Sequence, residues 1–322
     1  MSVLMDRAAF AGHVTRAVLG RCSDPEKGVD GMVAVQLVSG ILVEACFVFD
    51  EPDLALTHIY EHLALRLGTE PGAGSICAQA LPNPTIIDRH TEQGRALARR
   101  LFEDWVFTPQ DFLDLTSDVF HHLVVGMEED GQPRAEIFRL LIECSNRCMA
   151  YEVAAQELCD IVIDQKIGIE KWSLAESIAG LSAVAGRAMA LSFSTEKPGE
   201  YKAHDLPVYL DQVAHVMTQE AIRLGIPAGS NWRFGLAAND QPTSAPYELI
   251  AALEPACRDF MRKISLNNLV DQAVACAKAA GRMLALASAG DQPEIEPVIA
   301  KPLAMAAMSD TYKTVCREFS VG

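Results

Sequence analysis

The sequence predicts an all-α protein, a multi-helix bundle of about ten or eleven helices around one long central helix. Three observations predict this fold class. Apolar residues recur along most of the chain at alternating steps of three and four, the spacing of one helix face. Several of these segments begin with residues that cap helices. Outside one valine-rich stretch, the sequence offers no segments that would pair as strands.

The central helix is predicted at 133–164, where the periodicity is clearest. Apolar or small residues there follow one another at steps of 4, 3, 4, 3, 4, 3 and 4, so they share one side of a helix. They are Ile137, Leu141, Cys144, Cys148, Tyr151, Ala155, Leu158 and Val162. Because these side chains differ in size, we expect packing against several neighbouring helices rather than a continuous coiled coil.

Two further helices carry small residues that let helix axes approach each other. The first, near 173–194, opens with a capping box in which Ser173 and Glu176 satisfy backbone N–H groups of the first turn. The second lies near 265–288. Thr108 and Pro109 mark the start of another helix. Weaker periodicity predicts helices near 5–20, 53–67, 91–106, 207–224, 246–262 and 302–319.

The apolar stretch 32–49 allows two interpretations. It is rich in valine and fits either a buried helix or a hairpin that turns at Ser39 and Gly40. A helix is favoured, because a lone hairpin would have no other strands to join. A membrane span is disfavoured, because Gln36, Ser39 and Glu44 interrupt the stretch.

Length and charge restrict the classes of partner. The 322 residues, half of them apolar, suffice for one large helical domain (1–322), with a sub-boundary near 195–205 as the alternative. The formal net charge of −16 repels phosphate backbones and anionic lipid, so we expect neither a nucleic acid nor a membrane as partner. Another protein, or a second copy in a homodimer, is the expected partner.

Nine scattered cysteines without a Cys-x-x-Cys pair indicate reduced thiols that serve as small apolar residues. Cys144 and Cys148, one helical turn apart, fall on the apolar side of the central helix and are interpreted in the same way. The first ten residues lack the basic and apolar regions of a signal peptide. These features predict a cytoplasmic protein.

Two connections are long enough to suggest a function, 68–90 and 225–246. The second carries Trp232, Arg233 and Phe234. Such side chains either fasten a loop to its own core or contact a partner, and the core contact is favoured, with binding as the alternative.

A short pattern recurs three times and is a candidate helical repeat. It begins at Gly94, Gly186 and Gly281, and each glycine is followed by Arg, Ala or Met, and a further apolar pair. The pattern is built from common residues, so chance recurrence is the favoured interpretation.

The sharpest candidate for chemistry is His58-Ile-Tyr-Glu61-His62. Two histidines four apart on a helix share a face and can bind one zinc ion, while Glu61 can accept a proton from a bound water. This pattern resembles the inverted His-x-x-Glu-His motif of the inverzincin (pitrilysin-like) metallopeptidases. The resemblance implies that His58 and His62 are ligands, that Glu61 is the general base, and that the third ligand falls near Glu136 or Glu143.

The family fold is a mixed α/β sandwich, whereas this sequence predicts helices. An ordinary amphipathic helix is therefore the favoured interpretation of the motif, with Ile59, Leu63 and Leu67 in the core and the polar residues near the surface. Asp118, His121 and His122 form a second polar cluster, from which Asp118 or His121 would complete a metal site if the two helices meet.

The functional hypothesis that follows is a non-catalytic interaction or regulatory protein, with no cofactor expected. The first alternative is a metal-dependent hydrolase that uses zinc at the His-x-x-Glu-His motif. The second is a small-molecule binding protein with an apolar pocket between helices.

Overall fold

The computed structural model describes residues 7–24, 28–68, 89–103, 109–129, 131, 133–168, 173–196, 206–228, 242, 244–290 and 293–320. In these residues the chain forms eleven α-helices, as the sequence predicted, and one antiparallel ladder of two-residue strands that pairs Ser23 with Val29 and Asp24 with Gly28. The elements are α1 (Arg7–Cys22), β1 (Ser23–Asp24), β2 (Gly28–Val29), α2 (Gly31–Cys46), α3 (Pro52–Leu67), α4 (Arg89–Glu103), α5 (Pro109–Glu129), α6 (Arg134–Gly168), α7 (Leu174–Glu196), α8 (Leu206–Arg223), α9 (Pro246–Lys263), α10 (Leu269–Ala287) and α11 (Pro297–Ser320).

The chain divides into two compact units. Unit 1 comprises Met1–Gln79 and Asp88–Met149, and unit 2 comprises Ala80–Ile87 and Ala150–Gly322, so the division falls inside α6. The predicted domain organisation, one domain with a sub-boundary near 195–205, stays a prediction, because spatial contacts do not show which segments fold independently.

The 35-residue helix α6 confirms the long helix predicted at 133–164. Of the eight residues predicted to share its apolar side, seven are buried. The eighth, Tyr151, is half-buried, and its hydroxyl donates a hydrogen bond to Asp271 Oδ1 at 2.5 Å. The alternating spacing therefore identified the buried side of this helix correctly.

In unit 1, the valine-rich stretch forms the helix α2 and not a hairpin. Asp30 caps its first turn, because the carboxylate accepts hydrogen bonds from the N–H groups of Met32 and Val33 at 3.0 and 3.1 Å. A Cβ on Gly40 would overlap the carbonyl oxygen of Thr91 in α4, and a Cβ on Gly94 would overlap that of Leu37 in α2. The two helices thus cross in direct backbone contact.

In unit 2, α7 packs against α8, α9, α10 and α11. It begins with the predicted capping box: the Ser173 N–H donates to Glu176 Oε2 at 2.9 Å, and the Glu176 N–H donates to Ser173 Oγ at 3.2 Å. Leu174–Ser192 is long and apolar enough to cross a membrane by length and composition, but 78% of it is buried within the protein. It therefore has the environment of a core helix.

One helix start in unit 2 differs from the prediction. The sequence pattern places a helix from about residue 265, whereas α10 begins at Leu269. Asn268 is its N-cap and accepts a hydrogen bond from the Val270 N–H at 2.7 Å. Ser265 adopts the left-handed conformation, with φ of 64°, so the helix cannot extend back through it.

Candidate functional site

The helix α3 carries the residues for which the sequence suggested chemistry. Pro52 occupies its first turn, where backbone N–H groups have no partner within the helix, so a missing N–H loses no hydrogen bond. The negative charge of Asp53 in the same turn interacts favourably with the positive end of the helix dipole. Gly68 ends the helix in the left-handed conformation and donates its N–H to the carbonyls of Ala64 and Leu65. These local signals fix the length of α3 and therefore the residues that it exposes.

The inner side of α3 is apolar, as expected for an amphipathic helix. Ile59, Leu63 and Leu67 are buried in unit 1. Tyr60 is also buried, and its hydroxyl donates to Asn146 Oδ1 in α6 at 3.0 Å. This side chain anchors α3 on α6 within the unit and leaves the opposite side of α3 facing solvent.

The outer side of α3 exposes two leucines. Leu54 is 50% exposed and Leu65 is 81% exposed. His58 and Glu61 lie between them at steps of 4, 3 and 4, so the four side chains form one stripe. Exposed apolar side chains on one line of a helix are typical of an interaction surface.

The turn between α2 and α3 carries two more exposed apolar side chains. Phe47 and Val48 are 42% and 57% exposed and directly follow α2. The Arg95 guanidinium carbon lies 5.7 Å from the centre of the Phe47 ring, and this stacking orients the ring. We define the α3 surface as the exposed set Phe47, Val48, Leu54, His58, Glu61 and Leu65.

The structure separates the polar groups of the His-x-x-Glu-His motif. His58 Nδ1 lies 3.5 Å from Glu61 Oε2, so these two side chains pair with each other in solvent. His62 Nδ1 instead lies 3.2 Å from Ser117 Oγ in α5. In the described part of the chain, no group of three or more His, Cys, Asp or Glu side chains is arranged to hold a metal ion. The zinc site stays a prediction.

Neither glutamate that the metallopeptidase resemblance implies is brought to this motif by a described contact. Glu143 pairs with Arg139 one turn earlier in α6. Glu136 is exposed in the first turn of α6, where its negative charge interacts favourably with the positive end of the helix dipole. Both positions have ordinary structural explanations.

Helices α3 and α5 do meet, as the second polar cluster required. Asp118 accepts a hydrogen bond from Arg66 at 2.6 Å, and His122 Nδ1 lies 2.6 Å from the Asp118 carbonyl oxygen. His62 and Ser117 have the spacing of a base and a nucleophile, but the Ser117 side chain is fully buried. A substrate could not reach that hydroxyl, so this pair holds the two helices together.

His121 has a buried ring nitrogen, Nδ1, without a hydrogen-bond partner in the described residues. Burial lowers the pKa of this imidazole below its ordinary value of 6.5, and the positive charge of Arg66 lowers it further. The ring is therefore neutral at pH 7.

The second long connection carries the residues predicted as candidates for binding. These residues, Trp232, Arg233 and Phe234, lie outside the described residues.

A buried ion network in unit 1 was missed by the sequence interpretation. Glu44 of α2 accepts a hydrogen bond from Arg95 Nε of α4 at 2.9 Å and forms an ion pair with Arg99 Nε of α4 at 2.9 Å. Arg95 also lies 3.6 Å from Glu92. Arg95 is fully buried. The available signal was Glu44, a lone carboxylate near the end of an apolar helix, which needs a cation nearby.

A second buried network, in unit 2, is larger. Glu152 of α6 accepts from Lys278 at 2.7 Å and from Arg282 at 2.5 Å. Glu220 of α8 accepts from Arg282 at 2.9 Å and from Arg223 at 2.8 Å. These five side chains tie together three helices, and their groups are occupied with each other, which favours a structural role over a binding role.

No protein-family model, no curated protein and no solved structure matches this chain.

Proposed function

We propose that this chain is a non-catalytic, cytoplasmic interaction protein that binds another protein, or a second copy of itself, through the α3 surface. The observation that supports this most directly is Leu65, which is 81% exposed near the C-terminal end of α3 and lies in line with Leu54. Contact with a partner would remove both leucines from water and gain hydrophobic free energy.

The chemistry of the surroundings supports a binding role rather than catalysis. The exposed pair His58 and Glu61 faces solvent on a convex helix, whereas catalytic groups work in clefts that exclude water. Ser117, whose hydroxyl contacts His62, is buried. The eight described cysteines are free thiols, which is typical of the reducing cytoplasm.

The size of the α3 surface indicates a transient complex. Stable interfaces use about 20–30 residues from each partner, far more than the six side chains of this surface. We therefore expect a Kd of roughly micromolar strength, equivalent to about 8 kcal/mol of binding free energy.

Site-specific photo-crosslinking tests this proposal. A benzophenone amino acid replaces Leu65 in the full chain, expressed in the host cells, and adducts are identified by mass spectrometry. The matched control places the same group at Leu286, a leucine in α10 that is 53% exposed. We expect one defined adduct, to a partner or to a second copy, from position 65 only. Equal adducts from both positions, or none from position 65, would contradict the proposal.

A further inference from the structure

We infer that the occupant of the α3 surface is a cationic amphipathic helix of a partner protein, and not a second copy of this chain. This inference rests on the proposed function and adds the chemistry of the partner. It depends on how charge is distributed around the exposed apolar side chains.

Acidic residues border the apolar end of the α3 surface. Asp50 and Glu51 are exposed, and Asp53 is half-buried in the first turn of α3. In the ranges that the structure describes, no lysine or arginine forms an ion pair with these three carboxylates. Phe47, Val48 and Leu54 are therefore exposed near three carboxylates that form no ion pair with a described lysine or arginine.

The basic side chains of α3 are already engaged. Arg66 donates to Asp118 at 2.6 Å, and His58 faces Glu61 at 3.5 Å. They therefore offer little positive charge to an incoming molecule. A partner that covers the apolar side chains must supply its own cations to complement the acidic border.

A second copy fails this requirement. In a twofold interface the same patch lies on both sides. If the two α3 helices ran antiparallel, Arg66 of each would approach the acids of the other, but Asp118 already neutralises Arg66. With a net charge of −16 on each chain, such a pair would be opposed by repulsion.

The length of the stripe specifies a helix as the complementary element. Leu54 and Leu65 are eleven residues apart, which is about three turns or roughly 16 Å at 1.5 Å per residue. A partner helix of three or more turns, with apolar residues on one face and lysine or arginine beside them, matches both the spacing and the charge.

The test measures binding of three fluorescent peptides to the full chain by anisotropy at 0.15 M salt. One is a leucine–lysine amphipathic helix, the second carries glutamate in place of each lysine, and the third is a scrambled leucine–lysine sequence. We expect the first peptide to bind at least tenfold more tightly than the other two. The double variant Leu54→Ser/Leu65→Ser should weaken its binding at least tenfold, and Asp50→Asn/Glu51→Gln at least threefold.

The control variant Leu286→Ser should bind the leucine–lysine helix like the unmodified chain, because its site lies on α10. Circular dichroism checks that each variant stays folded. The inference is overturned if the glutamate peptide binds as well as the lysine peptide, or if the leucine substitutions leave binding unchanged. It is also overturned if sedimentation shows a dimer that Leu65→Ser abolishes, a result that would leave the proposed function standing. Absence of a crosslink from position 65 would contradict both this inference and the proposed function.

Discussion

Glu220 and Glu152 are carboxylates that would each cost several kcal/mol to bury alone, and unit 2 encloses both. Their burial is tolerated because three cations surround them: Lys278, Arg223 and Arg282. Among these five side chains the positive charges outnumber the negative by one. Removing a carboxylate from this network and removing a cation should therefore have different effects on stability.

This imbalance predicts that loss of a carboxylate harms unit 2 more than loss of the lysine. Glu220→Gln leaves three cations around the single carboxylate of Glu152, and we expect it to lower the free energy of unfolding by about 3–5 kcal/mol. Lys278→Met leaves two cations with two carboxylates, and we expect a smaller loss, about 1–2 kcal/mol. Urea denaturation at pH 7 measures both.

The control for this comparison is Arg262→Met, which removes an exposed pair with Asp259 at 4.0 Å in the same unit. It should change the free energy of unfolding by no more than about 0.5 kcal/mol. Equal losses from Glu220→Gln and Lys278→Met would contradict the charge argument.

The charged partners that belong to different helices could not be predicted from the sequence, because they are far apart along the chain. Arg282 and Glu152 are separated by 130 residues, and Arg95 and Glu44 by 51. Only the fold brings them together. By contrast, the exposure of His58 and Glu61 followed from the helical spacing alone, since Ile59, Leu63 and Leu67 had to occupy the core.

The recurring glycines share one structural role in three different helices. A Cβ on Gly94, Gly186 or Gly281 would overlap a carbonyl oxygen of another helix, contributed by Leu37, Met308 or Met217. The next residue in each case is an arginine, and each arginine pairs with a glutamate of another helix. This common geometry explains the pattern by packing, whether or not the three segments share an origin.

A methyl group therefore has opposite effects at different glycines. Gly281→Ala forces α10 away from the Met217 carbonyl, and we expect a loss of about 2 kcal/mol in the free energy of unfolding. Gly126→Ala, in an exposed part of α5 with no atom within 4 Å of the new Cβ, should gain about 0.5–1 kcal/mol through helix propensity. Thermal and urea denaturation measure both variants. Changes of the same sign in their free energies of unfolding would contradict this prediction.

Helices were predictable because their signals are local. The capping box at Ser173 and the spacing from Ile137 to Val162 need only neighbouring residues. The start of α10 was placed too early, because the apolar rhythm continues through Leu266, whereas the cap at Asn268 decides where the helix begins. Side-chain caps thus outweigh periodicity at helix ends.

At the scale of the whole molecule, most of the described cysteines act as apolar core residues. Seven of the eight described thiols are buried, and Cys316 is half-buried. Burial raises the pKa of the Cys46, Cys159 and Cys257 thiols to about 12, so they stay protonated at pH 8. A protonated thiol is a poor nucleophile, and these groups are also out of reach of solvent.

Thiol reactivity should consequently report on folding. With an aromatic disulfide reagent at pH 8, we expect none of the seven buried thiols to react within minutes in the native protein. All nine cysteines should react in 6 M guanidinium, which is about the concentration that unfolds most proteins. Rapid reaction of three or more native thiols would contradict the burial of this set.

The backbone contact between α2 and α4 limits which substitutions the sequence can accept during evolution. Gly40 and Gly94 each contact the main chain of the opposite helix, and no second substitution in that helix can remove main-chain atoms. A smaller neighbouring side chain rescues neither position, since the atom that a new Cβ would meet is a backbone carbonyl oxygen. We therefore expect diverging descendants of this chain to keep both glycines or to lose this helix crossing altogether.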